Sequence, residues 1–394
     1  MPGPRPRPAV AVLTAAVAGL GMVSATLAPA GAQLSREPES SPLSAAATAA
    51  TRSTAPPAAA YAGSDPATWS DHRLAAQLVF SCVDLGHLDD AERQARAGIG
   101  GIALLGSRAP SRLRARLADV RGAARTPVLP FLASDEEGGR VQRLRQVIYP
   151  LPSARTMGRW STARVRRTAH DYAARMRRLG VRMDLAPVAD LSVPGAYIAS
   201  LDRSFSADPD RVTARARAWR LGMRDAGVVT VLKHWPGHGS ASNSHTGPAR
   251  VAPLADLAKA DLLPFDRELA AGAPVVMVGH LLSAGLTRDG VPTSESRTAL
   301  RYLRRSAVPG TVVLTDSLTM AAASSSLGIS PARATVRALR AGADWAMACD
   351  AAPLRSVAAV RDALVTGVLP REQAAASARR ILALKAASGL APRG

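Results

Sequence analysis

The sequence is poor in cysteine, lysine and aromatic residues, and these shortages limit what the protein can be. The 394 residues include only two cysteines, and their wide separation excludes a CxxC site. Aromatic residues make up 4% of the chain, and no basic run is interleaved with them as in proteins that stack nucleic-acid bases. We therefore expect no nucleic-acid partner.

Positive charge is abundant, but almost all of it is arginine. Of the 50 basic residues only three are lysines, Lys233, Lys259 and Lys385, and acidic residues number 30. We interpret the net charge of +20 as arginine spread over a solvated surface, with attraction to the anionic polymers of a cell envelope as a by-product. A nucleic-acid patch is the alternative, and the export signal described next disfavours it.

The first 32 residues have the pattern of a secretory signal peptide. Two early arginines precede a run of small apolar residues that ends in the cleavage pattern Ala30-Gly31-Ala32. A transmembrane anchor is the alternative; the alanine- and glycine-rich composition and the cleavage pattern favour the signal peptide. No cysteine follows the run, so we expect no lipid anchor there.

The residues after this segment divide into a linker and one catalytic domain. Residues 33–66 consist mainly of Ala, Ser, Thr and Pro, which is typical of a disordered linker or a wall-spanning stalk. Residues 67–394 are sufficient for one single-domain barrel. We expect a monomer that is secreted or associated with the cell envelope.

Eight short apolar segments alternate with amphipathic, arginine-rich stretches of helical spacing. The segments are 78–83, 101–105, 127–134, 181–188, 228–232, 274–281, 310–315 and 343–349. This alternation indicates parallel βαβ units, and eight strands favour an α/β fold of the (β/α)8 TIM-barrel class. A doubly wound open sheet is the alternative, but no G-x-G-x-x-G follows the first strand to support its dinucleotide-binding form.

Polar residues stand at or near the carboxyl ends of most predicted strands. They are Asp135, Glu136, Glu137, Asp184, Asp190, Lys233, His234, His280, Asp316 and Asp350. An aspartate after a strand often caps the next helix, so each residue alone has a structural explanation. In a barrel, however, these positions surround one mouth, and their convergence there predicts an active site.

The stretch LKHWPGHGSASNSH holds three of the seven histidines. His234 and His238 are four residues apart, but Pro236 and Gly237 prevent the helix that a zinc motif of the H-E-x-x-H type requires. We therefore expect no metal site. Proton transfer during glycoside cleavage fits better, because a glycosidase needs a carboxylate and an acid on either side of the scissile bond.

Two residues are the candidates for that chemistry. Asp316, in LTDSL, is a lone carboxylate after an apolar strand and could attack an anomeric carbon. His245 lies in a Gly/Ser-rich segment that can flex towards a sugar, and histidine titrates near neutral pH without tuning. A loop histidine without a role is the alternative for His245. His238, between two glycines, is expected to shape the loop.

These motifs resemble those of glycoside hydrolase family 3, specifically its single-barrel bacterial β-N-acetylhexosaminidases. The resemblance rests on KHWPGHG with the downstream SH, on TDSLTM, and on DEEGGRVQR (135–143), MDLAPVADL (183–191) and DRSFSADP (202–209). It implies that Asp316 is the nucleophile and His245 the general acid and then base, without metal or organic cofactor. It also implies a set of residues that hold the hydroxyls of the terminal sugar: Asp135, Arg143, Arg203, Lys233 and His234.

One position departs from the family pattern. The family has an Asp two residues before the acid/base histidine, whereas this chain has Asn243. An amide oxygen can still orient an imidazole, but it supplies no negative charge to stabilise an imidazolium. We therefore expect an enzyme that is slow, with an acid-shifted pH optimum, rather than inactive.

The resulting prediction is an exported, retaining hydrolase that removes terminal β-linked N-acetylglucosamine from peptidoglycan fragments through a covalent glycosyl-aspartate. Two alternatives stay open. The first is a β-glycosidase or glycoside phosphorylase of the same fold with another specificity, because a histidine acid/base would not repel an anionic acceptor. The second is a non-catalytic wall-sugar-binding protein, in which Asn243 marks a degraded dyad.

Cys82 and Cys349 are predicted to be close in space. Cys82 lies in the first strand and Cys349 ends the eighth, and barrel closure makes these strands neighbours. An exported chain permits a disulfide between them. Two buried thiols on different faces of their strands are the alternative.

Overall fold

The computed structural model describes residues 65–350 and 352–390, so the predicted signal peptide and nearly all of the linker lie outside the described residues. Eight parallel strands overlap the eight predicted segments. They are β1 (Val79–Asp84), β2 (Gly101–Leu105), β3 (Phe131–Ser134), β4 (Met183–Asp184), β5 (Val229–Trp235), β6 (Val275–Val278), β7 (Val312–Thr315) and β8 (Ala346–Ala348). Their burial is nearly complete, which agrees with the apolar sequence of each segment.

The strands form a barrel rather than an open sheet. Hydrogen-bonded neighbours follow the order β7-β6-β5-β4-β3-β2-β1-β8. At the remaining seam, the main-chain N–H of Thr315 donates to the carbonyl of Trp345, and Trp345 donates to Val313, both at 3.0 Å. The prediction of a (β/α)8 barrel is confirmed, and the doubly wound alternative is wrong.

Ten helices of seven or more residues accompany these strands in the described part of the chain. They are α1 (Asp71–Gln77), α2 (Leu88–Arg96), α3 (Leu113–Gly122), α4 (Thr162–Leu179), α5 (Pro209–Asp225), α6 (Leu263–Ala270), α7 (Arg297–Ser306), α8 (Pro331–Ala341), α9 (Pro353–Val365) and α10 (Arg371–Ala387). Helix α4 begins after Ser161, whose side chain accepts a hydrogen bond from Arg164 N, and ends at Gly180 in the left-handed conformation (φ 91°).

Arginine side chains satisfy carbonyl groups at the carboxyl ends of several helices. A guanidinium is a good partner for such a carbonyl because it also complements the negative end of the helix dipole. The pairs are Arg121 with Gly180 O, Arg177 with Ala226 O, Arg220 with Ala271 O, Arg304 with Gly342 O, and Arg182 with Ser388 O. Part of the arginine content therefore has a structural use that composition alone did not reveal.

A disulfide joins β1 to the residue after β8. Ser81 lies opposite Ala348 in the parallel register, so Cys82 and Cys349 occupy the next rung, with Cα atoms 4.6 Å apart. The bond therefore cross-links the hydrogen-bonded pair β1–β8 at the mouth of the barrel.

One lysine is buried within the fold, far in sequence from the polar mouth residues. Lys385 of α10 is fully buried, and its ammonium lies 3.3 Å from the Oε1 atom of Gln77 and 5.8 Å from the Trp345 ring. Burial lowers the pKa of Lys385 well below its usual value, because no carboxylate among the described residues pairs with the ammonium to compensate for the lost hydration.

Candidate active site

A cavity of about 420 Å³ lies at the mouth of the barrel, where the strands end. It brings together seven of the eight residues predicted for the active site: Asp135, Arg143, Arg203, Lys233, His234, His245 and Asp316. The eighth, Asn243, does not line the cavity but lies two residues before His245 on the same loop. Both cysteines of the disulfide also line the cavity.

One wall of the cavity is a chain of alternating charges. Lys233 Nζ lies 2.7 Å from Asp135 Oδ1 and 2.7 Å from Glu137 Oε1. Arg203 makes a bidentate pair with Glu137 at 2.7 and 2.8 Å. At the outer end, Arg143 Nη2 lies 3.4 Å from Asp135 Oδ2. Because Arg143 and Asp135 are partly exposed, this end has donors and acceptors available for sugar hydroxyls.

The inner part of this chain is held in its charged form. Burial alone would lower the pKa of Lys233, but the charges of Asp135 and Glu137 outweigh it and raise that pKa. Burial likewise opposes ionisation of Glu137, yet Arg203 and Lys233 bring the Glu137 pKa below its usual range. Lys233 thus bridges two carboxylates with a compact ammonium, a geometry that the planar guanidinium of Arg would not reproduce.

Asp190 organises the KHWPGHG segment from beneath. Its Oδ1 accepts hydrogen bonds from the main-chain N–H of His234 at 3.1 Å and of His238 at 2.7 Å. Its Oδ2 lies 2.7 Å from His234 Nδ1. Burial would raise the pKa of Asp190, but His234 and His238 outweigh burial and lower it. His238 therefore shapes the loop as expected, with its ring bonded to the Ser244 side chain at 3.1 Å.

Asp316 stands at the end of β7 as an ionised carboxylate. Its Oδ1 accepts a hydrogen bond from Ser317 N at 2.7 Å. Burial would raise the pKa of Asp316, but the neighbouring His234 and His280, the Ser317 N–H and Lys233 together lower it to about 2. At neutral pH the group is therefore an anion facing the cavity, which is the state that a nucleophile requires.

His280 supports the residue after Asp316. Its Nε2 lies 2.9 Å from the carbonyl oxygen of Ser317, and its Nδ1 lies 2.8 Å from Ser294 Oγ. A carbonyl oxygen only accepts, so Nε2 carries the proton and Nδ1 accepts from the hydroxyl. Burial lowers the pKa of His280, which favours this neutral form.

The loop that carries His245 is exposed, and Asn243 acts on its main chain. Asn243 Oδ1 accepts a hydrogen bond from the main-chain N–H of His245 at 3.0 Å, as in an Asx turn. Among the described residues, no hydrogen bond joins this amide to the His245 ring. The main-chain N–H groups of Ala321 and Ala322 donate to the carbonyls of His245 and Ser244, at 3.4 and 3.2 Å, and tie the loop to the turn after Asp316.

A second pair of carboxyl groups lies behind the charged wall. Glu136 Oε2 accepts a hydrogen bond from the Tyr172 hydroxyl at 2.6 Å, while Asp184 accepts from Glu136 N at 3.2 Å and from Trp219 Nε1 at 2.9 Å. Burial raises the pKa of Glu136 to about 7 and that of Asp184 well above its usual value. Both groups are fully buried, so they support the site rather than line it.

Glu137, Asp190 and His280 stand at strand ends in the sequence, but the sequence alone predicts no role for them. In the sequence they share with Asp316 the position at a strand end, where polar residues converge. Their burial and their hydrogen-bond partners, which the structure provides, show that they differ from Asp316.

Among the described residues, no group of three or more His, Cys, Asp or Glu side chains is arranged to hold a metal ion. No helix in that part of the chain is long and apolar enough to cross a membrane.

A (β/α)8 barrel whose mouth holds an ionised aspartate beside a wall of alternating charges has the groups that a glycoside hydrolase uses. The chain belongs to glycoside hydrolase family 3: residues 86–384 match the domain described as "Glycosyl hydrolase family 3 N terminal domain".

Relatives with assigned names agree with this membership. The chain is 43% identical over 272 residues to the beta-hexosaminidase LpqI of Mycobacterium tuberculosis, an alignment covering 65% of this chain and 68% of that protein. It is 36% identical over 274 residues to a beta-hexosaminidase of Thiobacillus denitrificans, covering 66% and 74% respectively.

Solved structures show the same fold. A family 3 glycosyl hydrolase from Mycobacterium smegmatis superposes with a TM-score of 0.74 and 37% identity, covering 82% of this chain and 98% of that one. The structure of M. tuberculosis LpqI superposes with a TM-score of 0.73 and 36% identity, covering 84% and 98%. A family 3 β-N-acetylglucosaminidase from Paenibacillus has a TM-score of 0.74 and 26% identity, covering 82% and 63%.

Proposed function

We propose that this glycoside hydrolase removes terminal β-linked N-acetylglucosamine with retention of configuration, through a covalent intermediate on Asp316. The observation that carries the proposal is the ionised Asp316 carboxylate in the same cavity as the charged wall. Its Oδ1 is occupied by Ser317 N, and no hydrogen bond from the described residues engages Oδ2. Oδ2 is thus the oxygen available to attack an anomeric carbon.

In the first step, Asp316 bonds to the anomeric carbon while the bond to the glycosidic oxygen breaks. The His245 imidazolium transfers its proton to that leaving oxygen. In the second step, neutral His245 takes a proton from water as the water attacks the anomeric carbon and releases Asp316. The cavity places His245 and Asp316 around one space, and the turn after Asp316 is hydrogen-bonded to the His245 loop.

The terminal sugar is held by the charged wall. Asp135 and Arg143 face solvent in part and bind hydroxyls directly, while Lys233 and Arg203 hold the carboxylates in register. His234 lines the cavity beside them. A fixed set of charged donors and acceptors suits a hydroxyl-rich ring, because charge-assisted hydrogen bonds are strong and directional.

The names of the relatives support the choice of sugar, since the matched proteins are beta-hexosaminidases and β-N-acetylglucosaminidases.

We further propose that residues 1–32 direct export, that residues 33–66 link residues 67–394 to the envelope, and that the substrate comes from peptidoglycan. The export pattern and the net charge of +20 support this setting.

Turnover of 4-nitrophenyl β-N-acetylglucosaminide, compared with the corresponding glucoside, tests the proposal directly. We expect the wild-type protein to hydrolyse the N-acetylglucosaminide and the Asp316→Asn variant to have lost this activity. The same assay with added phosphate separates hydrolysis from phosphorolysis, because only a phosphorylase would release sugar phosphate. Sugar binding without turnover of any aryl glycoside would instead support a wall-sugar-binding protein.

A further inference from the structure

Asp190 does not line the cavity, but it is hydrogen-bonded to His234 and, through neighbouring residues, to the segments that carry Arg203 and His245. It is fully buried after β4. Its carboxylate binds His234 through both the ring and the main chain. Its carbonyl accepts a hydrogen bond at 2.6 Å from the hydroxyl of Ser204, the residue after Arg203.

The partners of His234 define which ring nitrogen carries the proton. His234 Nε2 lies 3.5 Å from Arg203 Nη2, and a guanidinium can only donate, so Nε2 accepts. The proton must then be on Nδ1, where it is donated to Asp190 Oδ2 at 2.7 Å. Asp190 thus selects the tautomer that lets His234 accept from Arg203.

A second branch runs from Asp190 to the loop of His245. Asp190 Oδ1 holds the main-chain N–H of His238, whose Nε2 lies 3.1 Å from Ser244 Oγ. Ser244 is buried and immediately precedes His245. One carboxylate therefore anchors both the sugar-holding side of the cavity and the loop that carries the acid/base residue.

We propose that Asp190 is a positioning residue of the hydrolytic reaction, acting through the tautomer of His234. The effect on turnover rests on the function proposed above, whereas the tautomer itself does not. An asparagine at position 190 isolates the effect: its Oδ1 keeps both main-chain hydrogen bonds, but its amide group replaces Oδ2 and donates to His234 Nδ1. The His234 proton then moves to Nε2, where it faces the N–H of Arg203.

The kinetic test compares wild type, Asp190→Asn, His234→Ala and the double variant on the aryl N-acetylglucosaminide. We expect Asp190→Asn to lower kcat/KM roughly 10- to 100-fold, the effect of losing one hydrogen bond to a charged group. In the His234→Ala background the same change should cost less than about 3-fold, because the ring through which it acts is absent. A 10- to 100-fold loss of kcat/KM from Asp190→Asn in both the wild-type and the His234→Ala backgrounds would overturn the proposal.

Asp362→Asn is the matched control, since Asp362 is exposed on α9 and pairs with its neighbour Arg361. It should leave kcat/KM and the melting temperature unchanged.

The direct test is nitrogen-15 NMR of the histidine rings at about pH 8, with the His234 signals assigned from the His234→Ala variant. Wild type should show His234 protonated on Nδ1, and Asp190→Asn should show it protonated on Nε2. Any other pattern in wild type overturns the proposal, even if Asp190→Asn does not fold. If wild type hydrolyses no glycoside, the function proposed above fails, while the NMR result still decides the tautomer.

Discussion

Asn243 and His245 are joined through the main chain: the amide oxygen of Asn243 accepts a hydrogen bond from His245 N at 3.0 Å. In the described part of the chain, the Asn243 amide therefore makes no hydrogen bond to the His245 imidazole. The reason is local, because an Asx side chain readily accepts a hydrogen bond from the N–H two residues ahead.

Asn243→Asp should raise the rate and shift the pH optimum upwards. Asp can keep the same turn and adds a negative charge two residues from His245, which stabilises the imidazolium that donates the proton. General acid–base effects are worth roughly 10²–10⁴-fold, so even a partial gain in kcat should be measurable from pH–rate profiles. An unchanged rate and profile would mean that another carboxylate supports His245, or that His245 is not the acid. Asn243→Ala, which loses the turn, should slow the enzyme.

Lys233→Arg should lower kcat/KM by roughly 10-fold or more, the effect of losing one hydrogen bond to a buried charge. The ammonium of Lys233 reaches Asp135 and Glu137 at 2.7 Å each, and a planar guanidinium does not fit between them without displacing one carboxylate. The matched control is Lys259→Arg, because the Lys259 side chain is 74% exposed and pairs with Asp256 on the surface. Equal activity of the two variants would show that the ammonium geometry is unimportant.

Lys385→Met should stabilise the fold at neutral pH, because it removes the cost of burying an amine that is protonated in the unfolded chain. Burial lowers the pKa of Lys385 in the folded protein. Between the folded and unfolded pKa values, the unfolded chain therefore binds a proton at Lys385 that the folded chain does not. The free energy of unfolding of the wild type consequently rises with pH in that range. The gain from Met should therefore be largest at neutral and lower pH and shrink towards about pH 10, near the unfolded pKa. Denaturant unfolding of both proteins at several pH values tests this; a loss of stability at neutral pH would contradict it.

Reduction or removal of the Cys82–Cys349 bond should destabilise the barrel. The two residues are 267 positions apart, and chain-entropy arguments give so long a loop roughly 5–6 kcal/mol. The Cys82→Ser/Cys349→Ser double variant should melt at a lower temperature than the oxidised protein. Intact-mass measurement after alkylation without reductant shows whether the bond forms: two alkylated thiols in folded, exported protein would exclude it.

The fold was predictable because each strand is a short apolar segment between helices of clear period. The convergence of polar residues at strand ends then located the cavity, including Asp135, Lys233 and Asp316. The same pattern could not separate residues that line the cavity from those beneath it, because an aspartate after a strand looks the same in sequence whether it faces substrate or is buried. Asp190 and Glu137 gain their roles from partners 44 or more residues away in sequence.

The central claim is that Asp316 forms the covalent bond to the sugar, and trapping with a 2-fluoro glycoside followed by peptide mass spectrometry tests it most directly. We expect the added mass on the peptide that contains Asp316. We also expect the Asp316→Asn variant to bind sugar but neither to turn it over nor to become labelled. Covalent label on any other residue, or turnover by Asp316→Asn at the wild-type rate, would contradict it.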